Sequence, residues 1–357
     1  MQYLFTVIIV IIIAIFGLWL FKKLGILDKP GNDLKNTRKP VPTLQGVFVY
    51  LALLIVLGIV YPEMFSSSLV QGFLVGGTII VFSELLAELE YMGRITFKFP
   101  PIARFIIQIL ASCLALYIAG IAEYEFVIKD MVFVLPQWLL YIAFALWSVF
   151  VINAVNRIDG IYAQGNGMLT IGFFTVFALI QWVVLPYYTE FPNLETLLIV
   201  KQLALILAII SLVYTVVEIK PFGLIRDVGT MFLGFGLAYL AVVGGAKIGT
   251  IIVALSLVIF DAIWIIFYRI FILKKNPMKG DYTHIHHRLL GLGWTRGEVR
   301  AFVWIFSLLM MVLMLMQGAN RWNKVIIFVI MAVLFFGVNA YLFLYKKLPC
   351  GLPEKKE

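Results

Sequence analysis

Apolar runs of about 20 residues recur along the whole of this 357-residue chain, and a run of that length is what a helix needs to cross the hydrocarbon core of a bilayer. Eleven are legible, at about 3–21, 44–62, 68–86, 102–122, 133–153, 168–187, 196–216, 229–245, 248–271, 301–317 and 324–345. The Gly-rich run at 229–245 and its boundary with the next carry the weakest pattern. Only 13% of residues are charged and 63% are hydrophobic, too little charge to cover a soluble domain of this length. The expected fold is all-α: a polytopic helical bundle in the membrane, a single domain over residues 1–357 with about eleven transmembrane helices. Its polar segments fall in the connections 22–43, 87–101, 153–167, 218–228 and 272–300.

The first run has no basic segment before it, and Lys22 and Lys23 follow it; it reads as an anchor rather than a cleaved signal. Alternate connections divide the positive charge unequally. Lys129, Lys247, Arg321 and Lys324 fall on one side and Lys201 lies inside helix 7, which leaves 23 of the 28 lysines and arginines on the other. The positive-inside rule then places the N-terminus outside, the C-terminus in the cytoplasm and the polar connections on the cytoplasmic face of the cell membrane. A net charge of +9 needs no nucleic-acid partner, since cytoplasmic cations beside an anionic leaflet account for it. Cys113 and Cys350 imply no disulfide framework. A transporter predicts charges near the bilayer midplane, and only Lys201 and Asp261 qualify.

Four polar clusters carry the chemistry. The first, Asp28-Lys29-Pro30 with Arg38-Lys39-Pro40-Val41-Pro42, is a stiff basic re-entry into the next helix, suited to holding a phosphate or simply to fixing topology. In the second, Asn153, Asn156 and Asp159 recur every third residue before Gly160 and share a helix face. Their donors and acceptors suit a sugar or base edge; bonding between helices is the alternative. The third, Arg226-Asp227-Val228-Gly229-Thr230, puts a carboxylate at a helix start, as a cap or as a ligand to Mg²⁺. The fourth gathers all three histidines of the chain at His284-Ile285-His286-His287, followed by Arg288 and preceded by Lys279 and Asp281. Imidazoles beside a guanidinium grip a diphosphate, and His-x-His-His lacks the spaced ligands of common zinc sites. Asp261, eight residues before Arg269, is either half of an ion pair or a further member of the site.

Taken in order, these fragments resemble the polyprenyl-phosphate N-acetylhexosamine-1-phosphate transferase family, glycosyltransferase family 4. The resemblance runs from about Asp28 to Arg300 and includes Asp227-x-Gly229-Thr230-Met231-Phe232-Leu233-Gly234-Phe235, Phe260-Asp261 and Asp281-Tyr282-Thr283-His284-Ile285-His286-His287-Arg288. The His-x-His-His form is closer to the N-acetylglucosamine branch than to the muramoyl-pentapeptide branch. It implies transfer of a sugar-1-phosphate from a UDP-sugar to a polyprenyl phosphate with release of UMP, a Mg²⁺ cofactor, a cytoplasmic site and a homodimer as one assembly. By the same resemblance Asp227 and Asn156 hold the metal and His284, His286, His287 and Arg288 the diphosphate or sugar. Asn153, Asn156, Asp159 and Asp261 belong to the donor pocket, and Lys39 meets the lipid phosphate.

The chain departs from the family pattern at the end of helix 3. An Asp-Asp pair is expected there, and the sequence reads Ser83-Glu84-Leu85-Leu86-Ala87-Glu88. Glu84 or Glu88 then takes the catalytic position, on a stem one methylene longer. Tyr162 stands where a second aspartate is expected after Asp159, and Arg226 where a glycine is typical. Two readings follow: an active transferase using a glutamate, or a degenerate relative that binds nucleotide-sugar or lipid without turnover.

Overall fold

The structure, a computed structural model, describes residues 1–28, 40–122, 124–128, 131–187, 194–244, 249, 252, 255–274, 284–318 and 321–341. Twelve α-helices are found among them: α1 (Gln2–Lys23), α2 (Gly46–Val60), α3 (Ser68–Tyr91), α4 (Pro101–Ile118), α5 (Gln137–Ile158), α6 (Gln164–Ala178), α7 (Leu194–Ile219), α8 (Arg226–Val243), α9 (Ser256–Phe267), α10 (Ile285–Gly291), α11 (Arg296–Met316) and α12 (Arg321–Ala340). The protein is an all-α multi-pass membrane bundle. Nine helices among the described residues are long and apolar enough to cross a bilayer; α2 and α9 are apolar but shorter.

Several element boundaries differ from the sequence expectation. The run at 133–153 does not start a helix. Met131–Leu135 is a strand, β4, paired antiparallel with β3 (Tyr124–Ile128). Pro136, with φ −63° and ψ 150°, then caps α5, because proline fits the start of a helix and not its interior. At its other end α5 runs on to Ile158, past the expected limit of the run, and Asn153 and Asn156 stand on its last turns. The histidine segment is not a loop: His284 caps the short helix α10, which carries the other two histidines and Arg288. The next helix opens on a capping box, in which Glu298 and Thr295 bond reciprocally and satisfy two otherwise orphaned donors.

Helix α8 is the axis of the bundle, with 89% of its apolar window buried and α2, α3, α5, α6 and α7 packed around it. In lipid, helices associate through close packing and interhelical hydrogen bonds rather than by hiding from water. Here Phe73 of α3 stacks on Phe235 with ring centroids 5.8 Å apart, and the Tyr239 hydroxyl donates to the Leu69 carbonyl at 2.8 Å. On the outer side of the bundle α12 turns Ile326, Val329, Ile330 and Val333 outward. A two-strand clasp, β1 (Leu27–Asp28) with β2 (Val41–Pro42), closes the connection between α1 and α2.

Candidate functional site

The C-terminal ends of α3, α5, α7 and α12 and the N-terminal ends of α2, α4 and α8 meet at one end of the bundle, and the buried charges gather there. Glu84 and Glu88, one turn apart on α3, are 0% and 5% exposed. Ion pairing offsets the desolvation of such carboxylates. Arg104, from the first turn of α4, donates one nitrogen to Glu84 through a short hydrogen bond and to Asp227 at 2.9 Å. Arg226 reaches Glu88 at 3.3 Å and Asp28 at 3.9 Å and lies over the Tyr91 ring. Asp227 stands in the first turn of α8, and its carboxylate faces Arg104. A cavity of about 440 Å³ opens beside this cluster, lined by Asp28, Thr43, Glu88, Tyr91, Arg94 and Arg226.

The segment that presents Arg226 and Asp227 is fixed from two sides. Glu218, at the end of α7 and 2% exposed, accepts the Ile225 N–H at 2.9 Å. The Leu224 N–H donates to the Pro42 carbonyl, and the Gln45 N–H returns to the Leu224 carbonyl, both at 2.9 Å. Arg226 itself holds φ +57°, in the left-handed region that glycine occupies freely and other residues at a cost. From this turn the Arg226 side chain reaches back to Glu88 of α3. Glu218, Arg104 and Gln108 escaped the sequence reading. Their signal was a cation and an amide in the first turns of one apolar run and an acid just past the end of another.

The last turns of α5 join this acidic half to a second one. Asn153, Asn156 and Asp159 do not share a single ligand face; each goes to a different neighbour. The Asn153 amide donates to Gln108 Oε1 at 2.8 Å, and Gln108 in turn donates to Glu84 at 3.4 Å. Asn156 Oδ1 accepts the Thr230 hydroxyl of α8 at 2.8 Å. Asp159 is the C-cap of α5 and accepts the Gly165 N–H at 2.9 Å, folding the turn into α6. From α11, Arg300 donates to the Tyr162 carbonyl and Trp304 to the Gln164 carbonyl, which pins the same turn.

The second half is built on Asp261, 2% exposed in α9. Among the described residues its ion pairs are with His284 and Arg288, not with Arg269 eight residues on. His284 Nδ1 lies 2.8 Å from Oδ2, the Ile285 N–H donates to Oδ1 at 2.9 Å, and Arg288 donates to Oδ1 at 3.3 Å. Arg288 also makes a short hydrogen bond to Asn339 of α12. The three imidazoles form a pile: His284 and His286 are parallel with centroids 5.8 Å apart, and His286 and His287 are 4.0 Å apart. His286 is 1% exposed, and neither of its ring nitrogens has a partner among the described residues. Its ring covers Gly160, where a Cβ would stand 2.2 Å from Nε2. Burial, followed by the neighbouring His287, His284 and Arg288, holds its pKa well below the usual histidine value, so the imidazole is neutral.

Lys39, Lys279 and Asp281 lie outside the described residues. Lys201 donates to Gln181 at 3.0 Å between helices, and Asp261 is engaged by the histidine helix, so both midplane candidates have local partners.

A helical membrane protein with paired acids and arginines in one half of a site, and a histidine helix in the other, is the class these features define. Residues 70–245 match the family model described as glycosyl transferase family 4. Over 324 residues the chain is 25% identical to the Bacillus subtilis (strain 168) protein named "Probable undecaprenyl-phosphate N-acetylglucosaminyl 1-phosphate transferase", covering 87% of this chain and 83% of that protein. It is 25% identical over 297 residues to the Escherichia coli (strain K12) undecaprenyl-phosphate alpha-N-acetylglucosaminyl 1-phosphate transferase, covering 80% and 74%. The Salmonella typhi protein of the same name is 24% identical over 296 residues, covering 79% and 73%. Residues 70–245 carry the match to glycosyl transferase family 4, and the likeness to these relatives extends over most of the chain.

Proposed function

We propose that the protein transfers a sugar-1-phosphate, N-acetylhexosamine-1-phosphate, from a UDP-sugar to a polyprenyl phosphate on the cytoplasmic face of the membrane. The reading rests on the family match, and one observation carries it into the site: Asp227 and Arg104 meet at the bundle end beside two buried glutamates. In this reaction an oxygen of the lipid phosphate forms a bond to the sugar-bearing phosphorus, the bond from that phosphorus to the UMP oxygen breaks, and UMP leaves. Positioning and charge neutralisation supply most of the catalysis of such a displacement. The lipid arrives within the bilayer and the donor from the aqueous side, so a site at the end of the helices serves both.

The donor set suits a magnesium ion. Asp227 offers hard oxygen ligands, and its side chain remains 33% exposed. Among the described residues Glu84 and Asp227 pair with Arg104, and Glu88 and Asp28 with Arg226. No group of three His, Cys, Asp or Glu side chains among the described residues could hold a metal alone. This accords with an ion that takes one or two carboxylates and completes its shell with phosphate and water. Asp227 would hold it, with Asn156 close by on α5; when bound, the ion neutralises phosphate charge. In the same reading the two arginines hold the carboxylates in register. The neutral His286 offers a hydrogen bond to a phosphate or sugar oxygen, Asn156 and Asp159 border the donor, and Lys39 meets the lipid phosphate.

A second reading, binding without turnover, is favoured by one observation: Glu84 and Glu88, either of which could take the acidic position, are both already engaged by arginines. UMP release separates the two. Purified protein with undecaprenyl phosphate, Mg²⁺ and UDP-N-acetylglucosamine is expected to release UMP. Absence of turnover across a UDP-sugar panel, with a competent control enzyme alongside, overturns the transferase reading; UDP-sugar binding in the same preparation then supports the second.

A further inference from the structure

We propose that Asp261 and Asn339 are positioning residues of the histidine half of the site, Asp261 setting the tautomer of His284 and the first turn of α10, and Asn339 aiming the Arg288 guanidinium. The role in transfer rests on the function proposed above; the geometry does not.

A carboxylate that accepts from an imidazole Nδ1–H fixes that nitrogen as the protonated one and leaves Nε2 as the free acceptor. Asp261 stands 2.8 Å from His284 Nδ1. Its other oxygen takes the Ile285 N–H and an Arg288 nitrogen at 2.9 and 3.3 Å. One buried side chain therefore holds the cap, the first residue and the fourth residue of α10. A seven-residue helix is too short to persist on its own, so its orientation is imposed by such contacts.

Asn339 completes the arrangement from the far end of the chain. It is 4% exposed on a helix of which only 6% of the apolar window is buried. Its own amide donates to the Phe335 carbonyl at 2.7 Å, which turns Oδ1 toward Arg288. The result of both contacts is the placement of His286. That imidazole, 1% exposed and without a partner on either nitrogen among the described residues, is held against Gly160 of the α5 turn. Buried polar groups are rarely left unpaired, and an unpaired imidazole held by a fixed frame is suited to meet a ligand oxygen.

The chain has three histidines, so ¹⁵N-histidine NMR of the full-length protein in nanodiscs resolves few signals. Wild type is expected to show one imidazole with its Nδ1–H in a strong hydrogen bond, and Asp261→Asn to shift that signal. In UMP-release assays Asp261→Asn and Asn339→Leu are expected to lower kcat at least tenfold with KM for the UDP-sugar changed less than threefold. Asn339→Asp, which keeps an acceptor oxygen for Arg288, recovers most of the loss. An Nδ1-protonated signal absent from wild type, or unmoved in Asp261→Asn, overturns the role of Asp261. Wild-type kcat in Asn339→Leu overturns that of Asn339. If wild type releases no UMP, the transferase reading fails on its own, while the NMR spectra still decide for Asp261. Shifts of the Arg288 guanidinium ¹⁵N signal in Asn339→Leu then decide for Asn339, an unmoved signal overturning its role.

Discussion

A methyl group on Gly46 would stand 2.2 Å from the backbone nitrogen of Gly229, so the first turns of α2 and α8 cross backbone to backbone. Asp227 lies two residues before that crossing. Gly46→Ala is expected to destabilise the fold by about 1–3 kcal/mol, the usual result of overpacking. It should also depress activity more than a peripheral change of equal stability cost does. Thermal unfolding alongside UMP release checks both.

Arg226 sets a trade between backbone and charge. A glycine in its place would relax the left-handed turn, whereas an alanine would keep a Cβ in it. Arg226→Gly is therefore expected to be more stable than Arg226→Ala by about 1 kcal/mol. Both variants strip Glu88 of its guanidinium, and both should lose activity. An Arg226→Ala protein melting above Arg226→Gly would contradict the strained-backbone account.

Arg104 stands between two carboxylates, one of them fully buried. Removing one partner of such a pair costs about 3–5 kcal/mol at full burial; with the Arg104 side chain 22% exposed, the lower end is expected for Arg104→Ala. Arg104→Lys keeps the charge but cannot reproduce the planar fork, so it should recover stability before activity. Melting midpoints and kcat, measured on the three proteins, test that order.

The depressed pKa of His286 makes stability fall on the acid side. Between the unfolded value near 6.5 and the lower folded value, the unfolded chain binds the extra proton. Stability is therefore complete above about pH 6.5 and declines as pH drops below it. His286→Asn is expected to flatten this part of the stability curve, and denaturation series between pH 5 and 8 measure it.

Much of the fold was legible because membrane length and apolar composition are local properties. Nearly every helix core lies within its apolar run. Errors came where local signals compete: Pro136 delayed α5, and the apolar residues 131–135 chose a strand. Asn153, Asn156 and Asp159 were found by spacing, yet spacing says nothing of which neighbours approach, and each meets a different helix. Asp261 stood out as a charge in a membrane run, but its partner proved to be the histidine helix, brought near by the tertiary fold. Arg104, Gln108 and Asn339 were silent in the sequence because their meaning depends on contacts 20 or more positions distant, and Glu218 because its bond to the Ile225 N–H closes a turn that carries no spacing pattern.

The end of α5 belongs to both halves of the site: Asn156 is bonded to Thr230 in one, and Gly160 lies beneath His286 in the other. A single turn of chain is thus a shared mechanical part, and if each half takes a ligand the two are not independent receptors. A ligand that shifts this turn while seated against α8 alters the fit of a ligand under the histidines. Linkage makes the exchange reciprocal, each changing the other's affinity by the same factor. Synergy between two substrates can in this way arise without any contact between them, from the stiffness of one turn.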